Sequence, residues 1–111
     1  MIDEASSPNE FIAIGPIHIH RSEQRVVVDG STIELTPTEY KLLLTLAERR
    51  GYVQPRAHLL ERVWEAAPDI QTRTVDMHVQ RLRAKLGSAG TLIETVRGSG
   101  YRIRSDEAGV T

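Results

Sequence analysis

Four side chains between residues 73 and 81 share one property: each can make contacts across a molecular interface. Arg73, Met77, Gln80 and Arg81 fall on one side of a helical wheel, with the small Ala84 beside them. Val75, Val79, Leu82 and Leu86 fall on the other side, at spacings of 4, 3 and 4 residues. At about 100° per residue, those four lie within roughly 60° of one another. The pattern predicts a helix from about Thr72 to Leu86, closed by Gly87, with an apolar anchor and a polar reading face. Such a helix fits the major groove of B-form DNA, where each base pair shows a distinct donor and acceptor pattern. Arg81 can fork onto guanine, Gln80 can pair with adenine, and Met77 can touch a thymine methyl. Thr72, Arg73 and Thr74 stand at the helix start, where backbone N–H groups can hold a phosphate. Downstream, Arg97-Gly98-Ser99-Gly100 forms a glycine-rich tip between two β-prone segments, Leu92–Val96 and Tyr101–Arg104. An arginine on such a tip suits a narrow minor groove.

Charge is distributed to match. The 111-residue chain carries a net charge of −1, yet residues 71–104 hold seven basic and two acidic side chains, a local balance of +5. That asymmetry is the footprint of an anion-facing surface. Counted from sequence, it implies about four to six phosphate contacts. The alternative is a charged helix face that serves only solvation.

The elements that must position these residues are also visible. Phe11–Ile14, Ile17–His20, Arg25–Val28 and Ser31–Leu35 are short and β-prone, separated by Gly15-Pro16 and by Asp29-Gly30, a strong hairpin signal. They predict a small antiparallel sheet of about four strands. Thr36-Pro37-Thr38-Glu39 opens a first helix: Thr36 caps, Pro37 suits the first position, and Glu39 completes a capping box. Tyr40, Leu43, Leu44 and Ala47 form its apolar face, and Gly51 ends it. Tyr52-Val53-Gln54 reads as a short link. Pro55 opens a second helix with Leu59, Leu60, Val63 and Trp64 on one face, broken at Ala67-Pro68-Asp69. Ser88-Ala89-Gly90 reads as a loop. The fold class is α+β, a single domain over 11–104 between a tail at 1–10 and another at 105–111.

Other chemistry finds little support. There is no cysteine, which removes disulfides, thiolate metal sites and cysteine nucleophiles. No apolar run approaches the roughly 18 residues of a membrane span, and the first ten residues do not have the form of a signal peptide. His18 and His20 share a strand face but have no clear third ligand, so no metal is expected. Ser99 sits in a hairpin tip, not in a nucleophile elbow between strand and helix. No acid, base and nucleophile set is present, and neither enzyme activity nor a cofactor is expected. A protein-docking helix is a second possibility, but it would present apolar anchors on its outward face, and only Met77 qualifies as one.

Three segments together resemble a known family. Leu35–Leu43 is similar to the start of the first helix in OmpR/PhoB-type winged-helix response regulators. Arg73–Leu86 resembles their recognition helix, and Val96–Arg102 their wing. With the preceding strands and Leu59–Trp64 in matching order, the resemblance covers residues 11–104. It implies a winged helix-turn-helix: an N-terminal four-stranded antiparallel sheet, three helices and a C-terminal β-hairpin wing at 92–104. It implies sequence-specific binding to double-stranded DNA with direct-repeat half-sites, as a monomer alone and a head-to-tail dimer on DNA. By the same resemblance, Arg73, Thr74, His78, Arg83 and Tyr101 match phosphate contacts, and Met77, Gln80 and Arg81 match base-facing positions. Thr95 and Arg97 match wing contacts, and Trp64 an aromatic near the DNA backbone. Glu65, Ala66, Ala67, Pro68, Asp69, Ile70 and Gln71 match the loop that meets RNA polymerase. A cytoplasmic setting and a preceding receiver domain are implied as well; a receiver-less transcription factor is the alternative. Two departures stand out. Gln80 replaces an often basic residue, and Pro55 stands where a serine-like cap is common, so the second helix is expected to start without a side-chain cap.

Overall fold

Alternating apolar residues and left-handed turn positions build the first layer of the molecule. The computed structural model describes residues 11–65 and 71–104. Strands β1 (Phe11–Ile14), β2 (Ile17–His20), β3 (Arg25–Val28) and β4 (Ser31–Ile33) form an antiparallel sheet in sequential order. Asp29 and Gly30 take φ of 51° and 83°, the two-residue turn that matches strand twist. The register places Ile17 opposite Val28 and Ile19 opposite Val26, so one face buries Ile14, Ile17, Ile19, Val26 and Val28. On the other face Phe11 lies 5.4 Å and 4.9 Å, ring to ring, from His18 and His20.

Helix α1 (Pro37–Glu48) starts on the capping box that its sequence predicts: the Glu39 N–H donates to Thr36 Oγ1 at 3.1 Å, and the Thr36 N–H donates to Glu39 Oε1 at 2.9 Å. Glu39 has a second task. It is nearly buried, and Lys85 Nζ donates to its Oε1 at 2.7 Å, tying the start of α1 to the last turn of α3 (Arg73–Leu86). Burial pushes the Glu39 carboxyl up, but the Lys85 bond and charge and the Thr36 N–H together hold it below the usual value of 4.5. A depressed folded value means this stabilisation is complete above pH 4.5 and is lost as pH falls through the lowered value. Glu39→Gln keeps the capping geometry and removes only the charge. Its melting temperature is expected to lie below wild type at neutral pH, with the gap closing as acid protonates Glu39. A gap independent of pH in thermal melts would contradict the charge assignment.

Helix α2 (Arg56–Trp64) has Pro55 as its N-cap and no side-chain cap, as the sequence implies. It ends earlier than the Ala67-Pro68-Asp69 break suggests, because Glu65 already turns left-handed with φ 58°. Helix α3 buries Val75, Val79, Leu82 and Leu86. Each buried aliphatic side chain contributes about 1.5–3 kcal/mol, which fixes the rotation of the helix about its axis. Residues 87–92 are a 3-10 helix, not a plain loop. Gly90 allows it: a Cβ there would run into the backbone carbonyl of Arg83. Strands β5 (Ile93–Val96) and β6 (Gly100–Ile103) form the hairpin, one residue shorter at the start of β5 than its β-prone segment. The tail segments 1–10 and 105–111 and most of the 65–71 loop lie outside the described residues. Among the described residues, no helix is long and apolar enough to cross a membrane.

Candidate nucleic-acid interface

The buried stripe of α3 dictates what the opposite stripe shows. Arg73, Gln80, Arg81 and Ala84 are exposed, and Met77 is 48% exposed. Met77, Gln80 and Arg81 line a shallow cleft together with Asp76. Asp76 also borders a second cleft, which runs under the wing past Arg56, Thr95, Arg97, Gly98, Ser99 and Tyr101. The helix face and the wing tip therefore form one continuous surface that meets at Asp76.

The wing is held to this surface by two sets of bonds. Arg83 donates through Nε to the Ile93 carbonyl at 3.0 Å and through a terminal nitrogen to Thr95 Oγ1 at 2.8 Å. Its guanidinium also lies 5.8 Å from the Tyr101 ring centroid. Tyr101 is only 7% exposed, and its hydroxyl donates to Asp76 Oδ1 at 2.6 Å. Burial and that hydrogen bond push the phenol up to about 12. On its other edge β6 pairs with the link before α2: the Gln54 N–H donates to the Tyr101 carbonyl at 2.7 Å, and the Tyr101 N–H donates to the Gln54 carbonyl at 3.1 Å. The link that reads as a simple connection is thus a third strand-like edge of the wing.

The structure sorts the cations that the sequence counts together. Lys85 is bonded to Glu39, and Arg102 and Arg104 both pair with Glu94, at 2.8 and 3.5 Å. Arg83 is committed to the wing. Arg73, Arg81 and Arg97 are left exposed, with no hydrogen bond or ion pair among the described residues. Their positive charges, together with that of Arg83, whose bonds go only to uncharged acceptors, are the ones this surface can offer a polyanion. Pairing leaves the local balance at +5, because the outside partners Arg56 and Glu39 cancel, but it leaves only three of the seven cations without a bonded partner.

The remaining expected residues fall near the helix start. His78 is half-buried: its Nδ1 lies 2.9 Å from the Thr74 carbonyl, and its ring meets Trp64 edge-on at 5.0 Å. Trp64, Thr74 and His78 thus form a small cluster joining α2 to α3. Glu65 pairs with Lys41 at 3.4 Å, while Ala66, Ala67, Pro68, Asp69 and Ile70 lie outside the described residues. Sequence reasoning passed over Arg56 and Asp76. Their forked ion pair has bonds of 3.0 and 2.6 Å and draws the Asp76 carboxyl down, with the Tyr101 hydroxyl adding to the effect. Among the described residues, no group of three or more histidine, aspartate or glutamate side chains could hold a metal ion.

A four-stranded sheet, three helices with an exposed third helix, and a hairpin pinned beside it define a winged helix-turn-helix domain. Residues 30–103 match the family described as "Transcriptional regulatory protein, C terminal". The chain is 40% identical over 104 residues to the transcriptional regulatory protein CseB of Streptomyces avermitilis, covering 93% of this chain and 43% of that protein. It thus spans less than half the length of that curated relative. Its fold is similar to the DNA-binding domain of CpxR from E. coli, with a TM-score of 0.74, 34% identity, and coverage of 86% of this chain and 97% of the other. It is also similar to the Klebsiella pneumoniae RstA DNA-binding domain, solved in complex with the RstA box, with a TM-score of 0.77, 30% identity and coverage of 86% and 97%. The chain belongs to the OmpR/PhoB-type family of C-terminal DNA-binding domains, a transcription-factor fold and not an enzyme.

Proposed function

We propose that this domain binds double-stranded DNA sequence-specifically as the effector part of a two-component transcriptional regulator in the cytoplasm. In this reading α3 enters the major groove and the wing enters the adjacent minor groove. The observation that carries it is the set of exposed arginines: Arg81 and Arg97 line the two clefts that meet at Asp76, and Arg73 stands one turn before, its charge felt by the Asp76 carboxylate. Met77, Gln80 and Arg81 face bases, and Arg97 enters the minor groove with Thr95 beneath it. Arg73, Thr74, His78 and Trp64 face the phosphate backbone. Arg83 and Tyr101 face the phosphate backbone as well, Arg83 through the terminal nitrogen that its bonds to Ile93 and Thr95 leave over, while the same two side chains hold the wing in place. The relatives' greater length supports a preceding receiver domain, and the family supports head-to-tail pairs on direct-repeat half-sites, with a monomer in the absence of DNA. The 65–71 loop is the proposed contact with RNA polymerase.

Salt dependence tests the reading. Arg73 and Arg83, the two arginines that face the phosphate backbone, predict a log–log slope of affinity against salt near −2, at about −0.9 per phosphate neutralised. The measurement is a fluorescence anisotropy titration of a duplex selected by the protein from a random pool. A slope near zero would mean that this surface does not meet DNA.

A further inference from the structure

One acidic side chain stands in the middle of the proposed DNA surface, where a carboxylate faces repulsion from phosphate. Asp76 borders both clefts, so the basic face of α3 and the wing tip converge on it. Its oxygens are occupied. Oδ1 accepts from Arg56 Nε at 3.0 Å and from the Tyr101 hydroxyl at 2.6 Å, and Oδ2 accepts from a terminal Arg56 nitrogen at 2.6 Å. It is therefore not a free acceptor for a cytosine amino group. The Arg56 guanidinium is partly exposed at 45%, close enough to the surface to reach a phosphate if released. The pair joins the first residue of α2 to the groove-facing side of α3, and through Tyr101 to the wing.

We propose that Asp76 is a specificity-determining residue, which holds Arg56 off the phosphate backbone and so keeps down affinity for DNA of arbitrary sequence. The proposal rests on the DNA-binding reading above. Its logic is that non-specific affinity grows with every free cation, whatever the sequence. Specific affinity also needs the helix and wing held in register, which the bonds of Asp76 supply. Neutralising Asp76 therefore adds one mobile cation for any duplex and removes a charge-assisted tie that only the specific complex uses.

The test compares wild type, Asp76→Asn, and the double variant Arg56→Gln with Asp76→Asn, on a duplex selected by the wild-type chain and on a scrambled duplex. Anisotropy is read over a salt series, and thermal melts check folding. The side-chain amide introduced by Asp76→Asn still offers Tyr101 an acceptor oxygen. Asp76→Asn is expected to bind the scrambled duplex about 5-fold more tightly near 0.15 M salt, with a slope steeper by about 0.9. Affinity for the selected site should change less than about 2-fold, so that discrimination falls by a similar 5-fold. In the double variant, scrambled-duplex affinity should return to the wild-type level, because the gain flows through Arg56. If Asp76→Asn tightens both duplexes equally, or weakens both, Asp76 sets no specificity and the proposal fails. If Asp76→Asn does not fold, the double variant decides alone. Wild-type affinity for the scrambled duplex supports the proposal, and a loss of several-fold makes Arg56 a phosphate contact in the native protein and overturns it. A wild-type chain that selects no duplex at all refutes the DNA-binding reading itself, a separate outcome.

Discussion

Gly100→Ala is expected to cost about 3 kcal/mol or more and to lower the melting temperature by roughly 10–20 °C. Gly100 sits where β6 passes the link before α2. A Cβ there would overlap the Gln54 carbonyl oxygen and lie 2.8 Å from its carbon and 2.9 Å from Pro55 Cα. All three are backbone atoms, so no rotamer change relieves the clash. The residue also has φ +146°, a conformation that L side chains rarely adopt. The chain could escape only by breaking the paired Gln54 and Tyr101 hydrogen bonds, which anchor the wing to the core. Gly98→Ala is the control. Gly98 has φ +79° at the tip with nothing within 4 Å of its Cβ position, so only backbone strain of about 1 kcal/mol applies. Thermal melts of the two variants side by side settle the matter. A Gly100→Ala protein that melts within a few degrees of wild type would mean that β6 does not run against the link.

That contact shows where the sequence is legible and where it stops being so. Elements specified by neighbours in the chain are readable: the Thr36–Glu39 capping box, the Asp29-Gly30 turn, and the four-residue apolar stripe of α3 each depend on residues a few positions apart. Contacts between residues distant in the chain are not. Asp76 reads as one acidic residue in a basic helix, because its partners Arg56 and Tyr101 are 20 and 25 residues away. The pairing of Gln54 with Tyr101 makes a strand edge from three residues too short to signal one. The 3-10 helix at 87–92 follows from the close approach of Gly90 to Arg83, which no local pattern encodes. The charge of residues 71–104 is countable in the sequence, but its division into free and spent cations is not. Arg81 and Arg83 look alike in sequence; two residues of helical rotation, about 200°, put one into solvent and the other under the wing.

That rotation leads to the second large effect. Arg81→Ala is expected to weaken binding to the preferred site by about 1–3 kcal/mol, or roughly 5- to 150-fold, and to relax the preference at one base position. Arg81 is exposed and unpaired among the described residues, and it shares a cleft with Met77 and Gln80, the two other side chains that face outward from the middle of α3. The stripe of Val75, Val79, Leu82 and Leu86 fixes the helix from behind, so no backbone ordering opposes the contact and only the rotamer freedom of the arginine side chain is lost. A guanidinium can fork to the O6 and N7 of guanine, and an alanine leaves both acceptors without a protein donor. Removing an exposed, unpaired side chain should leave the melting temperature within a degree or two, in contrast to Gly100→Ala. The measurement is a site selection from random duplexes with wild type and variant, followed by titration of the wild-type site and its single-base substitutions. A specificity role predicts that the variant loses discrimination at one position and keeps it elsewhere. An equal loss on selected and scrambled duplexes, with a salt slope shallower by about 0.9, would instead make Arg81 a phosphate contact. Base reading by α3 would then rest on Gln80 and Met77 alone.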